Sequence, residues 1–446
     1  MHMKAKLLAA AMGAAAVMSG GNAFAADLGG NCCADLEERI AELEATTVRK
    51  GNRKVSLTVT GWVSSQLYWF DDGAESNLYV VDNNNDLSSY VKFTGSAQIM
   101  PGWKAGYTLA INTQGPSSLA CDEDWAACKG NKTGFGGDWS LAVENSYWFI
   151  QSDTLGKITL GKQSMAMDNL TVFADLSPIG AIFASNTVAT FDGFAAAVNV
   201  NGVFTGTRWG AAAFYCPTIG AGIANDCNGT RLNGVRYDTP TFAGFSASAG
   251  WGEDDYWDVA ARYSGEGGGF KYTAAIGYAE ITDNAIVGIP INDNSRWQIG
   301  GSIMHVGSGL WAHATYDETE DNGTVDGAAG AAKHPGSQGM FVKAGWTGKL
   351  VHIGNTTFWG EYGRNWDGFS NLNTGADFLD AKIFESQIVD GDARRLGIGM
   401  VQEIDAAAMS LWAKYTIRDL DFELANGNTG EADTLKMFLV GGVIFY

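Results

Sequence analysis

The chain has 446 residues, with 49 acids against 29 lysines and arginines and a formal net charge of −20. So acidic a chain is a poor partner for nucleic-acid phosphates, and no apolar run of about 18 residues follows the first 25, so no membrane-spanning helix is expected. Glycine is abundant (59), proline is rare (7) and mean hydropathy is near zero, which fits an all-β chain with many tight turns and the averaged hydropathy of a β-barrel.

Residues 1–25 read as a secretory signal. Lys4 and Lys6 supply the positive start, Leu7 to Met18 an apolar run too short to span a bilayer, and Ala23-Phe24-Ala25 a small-residue cleavage site. Residues 26–52 form a separate N-terminal segment. Within it Leu36, Ile40 and Leu43 share one face of a short helix expected over about 31–47. Under four turns, it is not stable alone in water. It is either a short coiled coil on the axis of an oligomer or a helix lying on a periplasmic rim.

From residue 53 to 446 the period changes to two. Val55, Leu57, Val59 and Val63 alternate with Ser56, Thr58, Thr60 and Ser64; Val91, Phe93, Ala97 and Ile99 alternate with Lys92, Thr94, Ser96 and Gln98. Apolar against small polar over about ten residues is the pattern of a transmembrane barrel strand. A soluble sandwich alternates likewise, so repetition decides. Further strands are expected near 103–113, 140–152, 157–163, 231–238, 242–250, 256–264, 268–281, 295–305, 309–317, 338–348, 351–362, 394–404, 408–418 and 434–446. The fold class expected is all-β: a sixteen-stranded antiparallel transmembrane barrel. Short turns (153–156, 239–241, 265–269, 307–309) alternate with long loops (71–86, 114–139, 164–230, 283–294, 319–337, 363–392, 419–433), as at the two ends of an outer-membrane barrel. The connection at 251–255 is short although it falls on the long side.

The longest connection, 164–230, follows the fifth strand and contains no convincing strand pair. It is far longer than a structureless loop and rich in apolar residues, such as Phe173, Ile179, Phe183, Phe194 and Trp209, which argues against disorder. In a barrel such an insert has one place to pack, the lumen.

Several segments resemble the porins of Gram-negative outer membranes, specifically the alphaproteobacterial, rhizobial-type family. These are Asp35 to Val59 (DLEERIAELEATTVRKGNRKVSLTV), Gly156 to Gln163, Val235 to Gly252 (VRYDTPTFAGFSASAGWG) and the residues to Ala260. The aromatic C-terminal Tyr446, with Ile444, Val440 and Phe438 on alternate positions, resembles the insertion signal of such barrels. The resemblance implies a homotrimer in the outer membrane. Each barrel would be a water-filled channel for passive diffusion of small hydrophilic solutes and ions, narrowed by the insert folded inside. Two alternatives are a substrate-specific channel and an anchor between outer membrane and peptidoglycan. A barrel enzyme is disfavoured, since His305, His313, His334 and His352 sit in no nucleophile motif.

In general porins, acids on the internal loop face bases on the wall. The candidate acids are Asp168 and Asp175, with Asp192 behind them. The candidate bases fall on the polar parity of strands: Lys54, Lys92, Lys104, Arg236, Arg262 and Arg296, joined by Lys343, Arg395 and Lys414. A charge on the lipid face costs roughly 2–4 kcal/mol at mid-membrane, so these point inward. Acid clusters in the loops (Asp71, Asp72, Glu75; Asp122, Glu123, Asp124; Asp317, Glu318, Glu320, Asp321; Glu423, Glu431, Asp433) draw cations, and a weak cation preference is expected. The same acids are candidates for calcium or magnesium bridges to lipopolysaccharide; no other cofactor and no metal centre is expected. Trp62, Tyr68, Trp69, Trp103, Tyr107, Tyr147, Trp148, Trp251, Tyr256, Trp257, Trp297 and Tyr362 near strand ends suit interfacial girdles. Of six cysteines, Cys121 and Cys128 share one loop and Cys216 and Cys227 another, so two loop-closing disulfides are the economical choice among fifteen connectivities, with Cys32 and Cys33 unassigned.

Overall fold

The computed structural model describes residues 55–82, 88–118, 121–122, 140–180, 192–210, 231–252, 255–284, 292–321, 336–368, 388–424 and 427–446. The signal, the helix at 31–47, Lys54, and Cys32, Cys33, Cys128, Cys216 and Cys227 lie outside these residues. The first ten strands are β1 Thr58–Asp71, β2 Ser76–Val81, β3 Tyr90–Met100, β4 Trp103–Gln114, β5 Ser140–Ser152, β6 Gly156–Ser164, β7 Ala197–Val200, β8 Val203–Arg208, β9 Arg231–Asp238 and β10 Phe245–Gly252. Then follow β11 Trp257–Gly267, β12 Phe270–Asn284, β13 Asn292–His305, β14 Leu310–Asp321, β15 Ser337–Val351 and β16 Gly354–Trp366. The last are β17 Ile388–Ile404, β18 Met409–Leu424, β19 Thr429–Glu431 and β20 Leu435–Phe445. One helical turn, α1 Leu170–Phe173, lies in the insert.

All strands but β7 and β8 belong to one antiparallel sheet. β1 pairs with β20 from Trp62↔Phe445 to Asp71↔Lys436, which closes it. β2 and β3 pair with the upper and lower halves of β1, and β19 and β20 with the upper and lower parts of β18, so each couple forms one interrupted stave. The barrel therefore has sixteen staves. Closure leaves no sheet edge with unpaired backbone groups, the condition for a sheet to span hydrocarbon.

Alternation sets the two faces. On β1, Val59, Val63 and Leu67 are exposed outward while Ser64, Gln66 and Tyr68 are buried inward; on β17, Leu396, Ile398 and Met400 face out while Arg395 and Val401 face in. Among the described residues, outward charges appear only beyond this apolar band. Arg364 pairs with Asp392 at 2.7 Å and Arg394 with Asp421, all toward the long-loop end.

Strands run further toward that end than their apolar pattern suggests. β2 occupies part of the expected loop 71–86, β14 reaches Asp321, β17 begins at Ile388 and β18 reaches Leu424. At the ends of β14, β17 and β18, past the bilayer, neither face needs apolar residues, so the alternation fades while the backbone ladder continues; β2 instead keeps Leu78 and Val80 outward, with Val80 opposite Leu67. The connection between β10 and β11 is short, as expected. The expectation that the insert holds no strand pair fails: β7 and β8 form a hairpin with Val200 opposite Val203. Its turn is Asn201-Gly202, both at positive φ (54° and 73°). This dipeptide suits a two-residue hairpin turn, and it was visible in the sequence.

The aromatic residues divide. Trp257 and Tyr278 (5.3 Å), and Trp297 and Tyr316 (5.1 Å), form one outward row, and Phe245, Tyr263 and Tyr272 another near the short turns. Trp62, Tyr68, Tyr147 and Tyr256 are not girdle residues. Tyr68 and Tyr256 are buried inside, Trp62 packs in an interior cluster, and Tyr147 pairs with the inward Thr108. Distance from a strand end chose them, and side-chain parity overrides it.

Candidate functional site

The site is the inner wall together with the insert that crosses it. After β6 the chain turns into the barrel and runs across the strands. Arg236 on β9 donates through Nη1 to the carbonyls of Ser164 and Met165, each at 2.9 Å. Arg262 on β11 donates to the Ala166 carbonyl at 2.5 Å. The Met167 amide donates to Asp258 at 2.7 Å. Thr273 on β12 donates to the Ala174 carbonyl, and the Leu176 amide donates to Ser302 Oγ on β13 at 3.1 Å. Asp175 then meets Lys343 on β15 at 2.6 Å, with both side chains almost fully buried. Asp175 also accepts from the amide and hydroxyl of Ser177.

Three of these contacts, those of Thr273, Ser302 and Lys343, follow one rung of the sheet. Thr273, Ser302, His313, Lys343 and Glu361 are successive cross-strand partners on β12 to β16. His313 Nδ1 lies 2.7 Å from Ser302 Oγ. Residues 174–177 lie along this polar rung. The Ser302–His313 contact therefore belongs to the loop's anchorage.

Apolar sockets complete the seat. A Cβ on Gly277 would lie 2.6 Å from Leu170 Cδ2, and one on Gly300 3.0 Å from Thr171 Cγ2. The wall is thinned to glycine where α1 rests. Met165, Met167, Leu170 and Ala174 are buried there with Ala260, Ala275 and Ala279. Full burial of a side chain such as Leu170 contributes about 1.5–3 kcal/mol. Further round, Ile179 packs among Trp311, Trp359 and Trp412. Each of these indoles lies over a glycine of the next stave, Gly345, Gly399 and Gly441, where a Cβ would approach it to 2.4 Å.

The second described part of the insert, 192–210, returns beneath the long-loop end. Phe70, Cys121, Val198, Trp209, Leu420, Leu435 and Met437 form its core. Asp192 accepts from Ser118 Oγ at 2.5 Å. Asp433 accepts from the amides of Asn201 (3.2 Å) and Gly202 (2.7 Å), which holds the hairpin turn. Arg208 pairs with Asp122 at 3.3 Å.

The candidate acids thus lie against the wall, not across a gap from it. Asp168, Asp175 and Asp192 are each no more than 2% exposed, and Asp168 faces Arg231 at 3.5 Å. Among the bases, Arg236 and Arg262 hold the insert, while Arg296 pairs with Asp317 at 2.5 Å near the long-loop end. Glu361 lies between Arg395 (3.5 Å) and Lys414 (3.2 Å). Lys92 and Lys104 face inward on β3 and β4, opposite Thr60 and Gln98 respectively. Several loop acids are likewise engaged: Asp72 caps the β1–β2 turn through the amides of Ala74 and Glu75. Sequence reading passed over Arg231, Asp258, Ser302 and Glu361. Inward parity marked some of them as lumenal, but register alone brings them together.

Comparison with known proteins agrees with this architecture. The Gram-negative porin family model matches residues 8–435. No curated protein matches the sequence. Among solved structures, an anion-selective porin from Comamonas acidovorans superposes with a TM-score of 0.54 at 17% identity, covering 88% of this chain and 100% of that one. A loop L8 deletion mutant of OmpT, an outer membrane protein of Vibrio cholerae, gives 0.51 at 13% identity, covering 88% and 100%. At these identities the likeness concerns the fold. With the family match across nearly its whole length, the chain belongs to the Gram-negative porins: it is an outer-membrane β-barrel channel for passive diffusion.

Proposed function

We propose that this porin passes small hydrophilic solutes and ions through a neck formed by the insert, in a homotrimer of such barrels, without catalysing a reaction. The observation that carries the neck is the run of contacts from Arg236 to Lys343, which puts residues 164–177 inside the closed sheet. Trimerisation follows from the family resemblance. Loop acids give a weak cation preference at the mouth and bind calcium or magnesium between the barrel and lipopolysaccharide phosphates. Cys121, fully buried in the apolar cluster of the insert, pairs with Cys128, and Cys216 with Cys227.

The test is single-channel conductance of the purified full-length protein in a planar bilayer, with reversal potential under a salt gradient. Three equal ohmic steps support the trimeric channel. A cation preference set by exposed acids at the mouth weakens as salt rises, because the screening length falls from about 10 Å at 0.1 M to about 3 Å at 1 M. A correctly folded barrel that never conducts overturns the reading in favour of an anchor.

A further inference from the structure

From Met165 to Thr207 the chain carries only three ionisable side chains, Asp168, Asp175 and Asp192. All three are buried. From Met165 to Thr207 the described part of the insert therefore presents no charge to the lumen, Arg208 beyond it being paired with Asp122, and residues 181–191 contain no ionisable side chain. What its first part presents is mostly apolar. Leu170, Thr171, Ala174 and Ile179 are turned to the wall, leaving Asn169, Val172, Phe173, Leu176 and Pro178 on the other side. Phe173 is 65% exposed, on a segment enclosed by the sheet.

What faces this ridge follows from closure. α1 rests on β12 and β13, the ninth and tenth staves, and the staves diametrically opposite are the first two, β1 and the β2–β3 couple. Their inward residues include Thr60, Lys92 and Thr94. Lys92 stands at comparable height, nine residues from the short turn at Pro101, while Gly277 under Leu170 is eight from Gly269. One side of the neck is thus an apolar ridge that carries Phe173, and the other a hydroxyl-bearing wall with an ammonium group, beside the stacked pair Trp62 and Tyr90.

We propose that this neck retains small aromatic carboxylates, the ring against Phe173 and the carboxylate at Lys92. The inference rests on the channel reading and names the solute class of the same passage. It is compatible with a weak cation preference for inorganic ions. That preference comes from the long-range field of acids at the mouth, whereas retention here comes from direct contact in a narrow, poorly screened space.

The test uses the full-length protein in a planar bilayer, adding benzoate, acetate, benzyl alcohol or benzylammonium and recording interruptions of the single-channel current. Benzoate is expected to interrupt the current at concentrations where acetate does not. Phe173→Ser, at an exposed position, is expected to weaken benzoate about two- to tenfold, the worth of one aromatic contact. Lys92→Gln is expected to weaken benzoate and leave benzyl alcohol unchanged. Equal effects of benzoate and acetate, or an unchanged benzoate effect in Phe173→Ser, overturn the proposal. Benzylammonium acting as strongly as benzoate overturns the role of Lys92. A protein that shows no current at all refutes the channel instead, so the two failures are distinct.

Discussion

The two described parts of the insert, Met165–Gly180 and Asp192–Gly210, are held inside the same barrel by different means. The first crosses seven staves and is tied down mostly by polar contacts, one strand at a time, ending in the buried Asp175–Lys343 pair. The second folds into a hairpin and packs one apolar core with β1, β18 and β20. A hydrophobic core is non-directional and tolerates small shifts. A row of hydrogen bonds fixes a path, because each buried partner left unmet costs about 1–3 kcal/mol. The difference teaches that the first part sets where the neck lies and the second holds the insert in place.

Substitutions should separate the two. Trp209→Ala is expected to have the largest effect, about 3–5 kcal/mol, by emptying the core of the second part; limited proteolysis should then cut near 192–210 while the barrel stays resistant. Lys343→Met strands Asp175 as a buried unpaired charge, which costs about 3–5 kcal/mol. Here the expected readout is a larger, noisier open-channel conductance, with Lys343→Met combined with Asp175→Asn recovering part of the wild-type behaviour. If Lys343→Met leaves both conductance and noise unchanged, the polar row does not fix the path. Gly277→Val overfills the socket of Leu170, at about 1–3 kcal/mol, and is expected to shift conductance modestly with a normal yield of folded barrel. Phe173→Ser should alter thermal stability least, within about 0.5 kcal/mol, and a large drop in melting temperature would mean that the ring packs on the wall.

Much of the barrel was legible because the bilayer enforces a period-two pattern. β9, for example, spans Arg231–Asp238, as the alternation predicts. Legibility failed where the enforcing medium ends. The upper part of β18, from Arg418 to Leu424, lies beyond the apolar band, and its charged residues read as loop; β2 is only six residues long and sits among loop-like neighbours, so it reads as loop although Leu78 and Val80 face outward. The girdle failed at Trp62 and Tyr68 because strand-end position was weighed above parity, although parity was in hand. The inward face of the bases was legible for the same reason as the strands. The partners were not: that Thr273, Ser302, His313, Lys343 and Glu361 fall on one rung depends on the register of five strands, which no single segment encodes. The acids of the insert were named, but their burial was not foreseen, because nothing local distinguishes a carboxylate facing water from one clasped by a distant lysine.

The insert keeps its holding and its sorting on different residues. Asp168, Leu170, Thr171, Ala174, Asp175 and Ile179 grip the wall, while Asn169, Val172, Phe173, Leu176 and Pro178 meet whatever passes. A substitution among the second group alters which solutes linger and leaves the grip untouched. Such a barrel can change its diet one residue at a time while its insertion into the membrane and its assembly stay the same.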